Sequence, residues 1–195
     1  MNLADDSAKT RLTRGVLCLI ASVLFWSIAA LHSLAAEQSP VRLNEAEVWT
    51  EIAYVRFQAA QGYDSQSDIR KLAAFKPKGP QEPATPGSEL ELAGDEKSLA
   101  CDEYQKAAQH WGKATQGFKS AIQLDKAKIT KDSAGVSWLA ARRTIFEAIE
   151  LYRMAEEIYE TANDLPKKSA VLGKIAANLE WLIEIDANIS SNSVS

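Results

Sequence analysis

The chain has 195 residues with 22 Lys or Arg and 26 Asp or Glu, a net charge of −4. Three basic and two acidic residues precede Glu37, so the remainder carries 19 basic and 24 acidic side chains and a net charge of −5. That balance argues against nucleic acid and against an electrostatic hold on anionic lipid, and a lone cysteine beyond the leader, Cys101, excludes an internal disulfide.

Residues 1–36 read as a leader. Lys9, Arg11 and Arg14 precede an uncharged, mostly apolar run from Gly15 to Ala36. Basic residues stay on the cytoplasmic side, so everything after Glu37 is expected to be exported, at the outer face of the inner membrane or free in the periplasm. Ser33-Leu34-Ala35 offers the small residues of a cleavage site. The run is also close to the roughly 20 residues that span a bilayer, so a cleaved signal peptide and a retained anchor both stay open.

Residues 37–75 are expected to hold a first helix and a short one. Asn44 and Glu47 resemble a capping box at the start of a helix over Glu45–Gln61. Val48, Trp49, Ile52, Val55 and Ala59 form its expected inward stripe, and Gly62 its stop. A short helix over Ser67–Phe75 would turn Ile69, Leu72 and Ala73 inward. Residues 76–94 read as a linker. Pro77, Pro80, Pro83 and Pro86 recur every third residue, which suits one edge of a polyproline II rod. Such a rod is either a ligand for an aromatic-lined groove on a partner or a stiff spacer.

Residues 95–187 are expected to complete the bundle with three helices. The second runs over Asp95–Lys126 with Tyr104, Ala107, Trp111, Ala114, Phe118 and Ala121 on one stripe. After a turn at Thr130–Asp132, the third runs over Ser133–Asn163 with Ile145, Ala148, Tyr152, Ala155, Tyr159 and Ala162. The two stripes superpose at an offset of 41 residues, ring on ring and alanine on alanine, a pattern that lets one helix sink into another. The last starts at Asp164-Leu165-Pro166 and runs to Ala187, with Val171, Leu172, Ile175, Leu179, Leu182 and Ile185 inward. Residues 188–195 read as a frayed tail. The fold expected is all-α, an antiparallel four-helix bundle or a short helical array. Trp111, Phe118, Ile145, Tyr152, Tyr159, Leu179 and Leu182 belong to its predicted core.

The stretches Trp111-x-x-Ala114-x-x-x-Phe118-x-x-Ala121 and Tyr152-x-x-Ala155-x-x-x-Tyr159-x-x-Ala162, with Pro166 beyond, resemble the second helix of a tetratricopeptide repeat. The period is 41 residues instead of the family's roughly 34, and Asp102 and Arg143 stand where a helix-breaking glycine would fall. The resemblance implies a helical array that binds proteins and carries over no site residue.

Chemistry is sparse. Beyond the leader there is one histidine, His110, and it lies two and a half turns from Cys101, on another face. No metal or haem spacing is present, so no metal, no cofactor and no catalytic residue is expected. Gly112 and Gly117 sit within a helix, where they suit close helix contact rather than phosphate binding. Glu147, Glu150, Glu156, Glu157 and Glu160 read as a solvated face partnered by Arg142, Arg143 and Arg153. The function expected is a non-enzymatic interaction module, an accessory or assembly subunit beside a membrane or periplasmic complex, with Pro77, Pro80, Pro83 and Pro86 as candidate partner-binding residues. Two copies could associate. The alternative is a bundle that carries a small molecule or metal.

Overall fold

The computed structural model describes residues 41–76 and 86–193, and these form four long helices. Helix α1 covers residues 41–75, α2 Pro86–Ser120, α3 Leu124–Thr161 and α4 Leu165–Ser193, with tight corners between α2 and α3 and between α3 and α4. Each helix runs antiparallel to the one before it in sequence. Along α1 and α2, Arg56 meets Glu103 and Arg70 meets Glu89 and Glu96. Tyr152 and Tyr159 of α3 reach back to Asp95 and Glu91 of α2, and Arg142 of α3 reaches Asp186 of α4. The described part is therefore an all-helical antiparallel bundle. No helix among the described residues is long and apolar enough to cross a membrane; the apolar run over 15–36 lies outside them.

Alanine decides how α1 docks. Its buried row is Ala46, Ala53, Ala60, Ser67 and Ala74, every seventh residue. On α2, Ala93, Ala100, Ala107 and Ala114 recur with the same spacing and are also buried. Antiparallel alignment sets Ala46 near Ala114 and Ala60 near Ala100, each pair inside one buried cluster. Ser67 fits an alanine position because its hydroxyl donates to the Ala93 carbonyl at 2.8 Å. Small side chains on both helices let the two backbones approach closely.

Between α2 and α3 the rule changes to small against large. Gly87 and Gly94 lie under Tyr159 and Tyr152. A Cβ on Gly94 would sit 2.5 Å from the Tyr152 ring, and one on Gly87 would sit 2.9 Å from Tyr159. The same row of α2 continues through Cys101 and Ala108, which share a core with Ile145 and Trp138 of α3. On α4, Val171, Ile175, Asn178 and Ile185 are buried, and half-buried Leu182 and Ile189 pack on the core at the intervening four-three steps.

The two corners after α2 and α3 are built alike. Ile122 and Asn163 adopt positive φ, 60° and 55°. Gln123 N–H donates to Phe118 O and Asp164 N–H to Tyr159 O, both at 2.8 Å, which is the Schellman closure. The 41-residue offset thus carries the corner as well as the stripe. Asp164 then caps α4, accepting from Lys167 N–H through its carboxylate.

Several boundaries differ from expectation. Gly62 does not end a helix: α1 runs through it and absorbs the predicted short helix. Helix α2 begins at Pro86, nine residues before Asp95, with proline in the first turn, where its missing N–H costs nothing. It ends at Ser120, short of Lys126, and the expected turn at Thr130–Asp132 lies inside α3. There the Thr130 hydroxyl bonds back to the Lys126 and Ala127 carbonyls and accepts from Thr115. Helix α4 continues through the expected tail to Ser193. Of the predicted core, Phe118, Ile145, Tyr152 and Tyr159 are buried; Trp111 and Leu182 are half-buried, and Leu179 is exposed. Leu172 is exposed too, because the α4 row steps from Val171 to Ile175.

Candidate functional site

The largest correction concerns α1: of its expected inward stripe Trp49 packs on the core, but most of the rest faces outward. Val48, Val55 and Ile69 are 48%, 62% and 61% exposed. Ile52 and Ala73 are half-buried, and Ala59, Gly62 and Gln66 are exposed. These eight positions step by four and three; Val48, Val55, Gly62 and Ile69 each lie two residues after a member of the buried row, and Ile52, Ala59, Gln66 and Ala73 each lie one residue before one. Two residues forward turn a helix by about 200° and one residue back by about 100° the other way, so the eight form a second seam turned away from the buried row. Leu72 and Phe75, 73% and 59% exposed, extend its apolar character toward the end of α1. Nothing lies within 4 Å of a Cβ built on Gly62, and Ala59, Gly62, Tyr63, Gln66 and Glu96 of α2 line a shallow depression at the midpoint.

A charged node holds this helix in place. Lys97 of α2 is almost wholly buried and pairs with Asp64 and Asp68 of α1 and Glu147 of α3, the last at 2.6 Å. Arg143 closes the node onto Asp64 at 2.8 Å. Burial alone would lower the Lys97 pKa, but its hydrogen bonds to Asp64 and Glu147 outweigh it and the pKa is raised. Its ion pairs tie α2 to both α1 and α3, so the node acts as a clamp. Glu147, expected on a solvated face, belongs to it. Beside it lies an open cavity of about 490 Å³ lined by charged side chains and Phe146, Leu151 and Met154.

The remaining reactive groups are occupied or inert. Cys101 is fully buried, and burial pushes its thiol up to about 12. That leaves it protonated and unreactive. Burial also raises Tyr152, whose hydroxyl donates to Asp95 at 2.7 Å, while Lys174 holds Asp95 and Glu91. His110 stacks on Trp49 with ring centroids 5.0 Å apart, and Lys113 lies over the same Trp49 ring. Among the described residues no group of three or more His, Cys, Asp and Glu could hold a metal ion. Of the proline candidates, Pro86 is the first residue of α2; Pro77, Pro80 and Pro83 lie outside the described residues. Gly117 does meet a neighbouring helix, at Ala46, whereas Gly112 faces open space. Comparison with known proteins gives no matching family model, no similar curated protein and no similar solved structure.

The sequence carried the signal for the outer seam: Val48, Ile52, Val55, Ala59, Ile69 and Ala73 were singled out, but as an inward stripe. The inward row, all alanine and serine, has lower hydropathy than Val, Ile and Val, so hydropathy alone chooses the wrong face. The Lys97 node left no such signal, because its members come from three helices.

Proposed function

We propose that the chain is an exported, non-enzymatic protein-interaction module, an accessory or assembly subunit beside a membrane complex, and that the outer seam of α1 is its working surface. The observation that carries this reading is the heptad row from Val48 to Ala73, exposed except for half-buried Ile52 and Ala73. An apolar stripe at coiled-coil spacing with a small-residue centre is the form that receives another helix. A solvated helix face would be polar there. The ring-and-alanine resemblance to tetratricopeptide helices, a class that binds proteins, points the same way, as does the occupied state of Lys97, Cys101 and Tyr152. The leader motivates the placement outside the cytoplasm.

A photo-crosslinking residue tests the surface directly. Val55→benzoylphenylalanine in the full chain, irradiated in intact cells, is expected to give a discrete protein adduct. The same probe at Glu157, on the exposed side of α3, is expected to give none. Absence of an adduct from Val55, or the same adduct from both positions, would sink the reading.

A further inference from the structure

We infer that the outer seam of α1 takes the same seam of a second copy of this chain, antiparallel, about a two-fold axis between Ala59 and Gly62. This rests on the interaction reading above and names its partner. The seam is self-complementary when reversed. Val48 then faces Ala73 of the second copy, Ile52 faces Ile69, Val55 faces Gln66 and Ala59 faces Gly62. Every large residue at the ends meets a smaller or matching one, and the two smallest meet at the axis, where the surface already dips. Close approach at the centre with β-branched contacts on either side is a workable helix-pair core.

Charge fixes the orientation. The next position outward at one end is Glu45, whose carboxylate accepts from Trp49 Nε1 at 3.3 Å, and Lys76 follows the other end as the first residue beyond α1; both are exposed. Antiparallel pairing sets Glu45 of each copy against Lys76 of the other, at both ends of the interface. Parallel pairing would set Glu45 against Glu45 and Lys76 against Lys76, four like charges at the two ends of an apolar seam. A two-fold interface is also the commonest way for a chain to cover its own apolar surface.

The test uses the full chain purified in mild detergent, with mass by light scattering and disulfide trapping between differently labelled copies. A dimer is expected. Ala59→Cys on one copy and Gly62→Cys on the other should crosslink on mixing, and Val48→Cys should not crosslink to itself. Native Cys101 is buried and stays out of the reaction, and Cys18 of the leader is replaced by serine in every variant. Ile69→Glu, at an exposed position that leaves helix content unchanged by circular dichroism, should weaken the dimer by at least about a hundredfold. Glu45→Lys should weaken it less, and Glu45→Lys with Lys76→Glu should restore it. A monomer, a Val48→Cys self-crosslink, or a dimer indifferent to Ile69→Glu would overturn the inference. The Val55 photo-adduct separates the two claims: an adduct of twice the chain mass supports both. An adduct with a different protein keeps the interaction reading and overturns self-pairing, and no adduct removes both.

Discussion

At the scale of single residues, three side chains make measurable statements. Ile122 is 81% exposed and sits at φ 60°, a conformation that costs a β-branched residue roughly 1–2 kcal/mol. Ile122→Gly should therefore stabilise the protein by about 1 kcal/mol in urea unfolding, against the usual direction for a surface change. Lys97→Met should act the other way, leaving Asp64, Asp68 and Glu147 facing one another. Because Asp68 and Glu147 are partly solvated, the cost should fall below that of a fully buried pair, about 2–3 kcal/mol. His110 provides a pH signal. Burial, then Lys113 and Arg56, lower its pKa below the usual value of about 6.5. The folded state therefore disfavours the proton, so this contribution is complete above about pH 6.5 and is lost as pH falls through the folded pKa. His110→Phe keeps a ring on Trp49 and removes the titration. The fall in urea midpoint from pH 7 to pH 5 should be smaller in that variant than in the wild type.

At the scale of helices, side-chain size decides more than hydropathy. Gly94 and Gly112 lie on the same helix, yet alanine should have opposite effects at the two. At Gly94 the new methyl meets the Tyr152 ring, a rigid neighbour, and should cost about 1–3 kcal/mol. At Gly112 it meets nothing and should add about 0.5–1 kcal/mol through helix propensity. Denaturation of the two variants side by side checks both signs. The same logic separates what could be read in the sequence from what could not. The ring-and-alanine stripes of α2 and α3 were legible because their large residues, half-buried Trp111 aside, are buried, and the 41-residue offset was visible in them. The α1 docking face was not, because alanines facing alanines carry little hydropathy while the Val and Ile row beside them carries much. Gly62 reads as a stop, yet the contacts of the alanine row on either side outweigh its roughly 1 kcal/mol propensity cost. Lys97 looks like any helix-surface lysine until three helices converge on it.

At the scale of the whole molecule, the buried rows of all four helices recur every seven residues or by alternating fours and threes, the period that winds helices into a left-handed supercoil. Local pattern predicted an all-helical antiparallel bundle and the structure has one; the proposed exported role and the proposed self-pairing both use the face this winding leaves uncovered. Ala74 near the end of α1 and Leu90 near the start of α2 share a core at one end of the bundle. The shared period restricts how such a molecule can change length. One residue deleted from the middle of α2 would rotate everything beyond it by about 100°. Gly87 and Gly94 would then lose their place under Tyr159 and Tyr152, or the alanine row would leave α1. Seven residues removed together from α2 and α3, and matched in α1 and α4, would restore every pairing one layer shorter. Viable insertions and deletions in this architecture should come in sevens and in concert, except at the corners, where the chain carries no register.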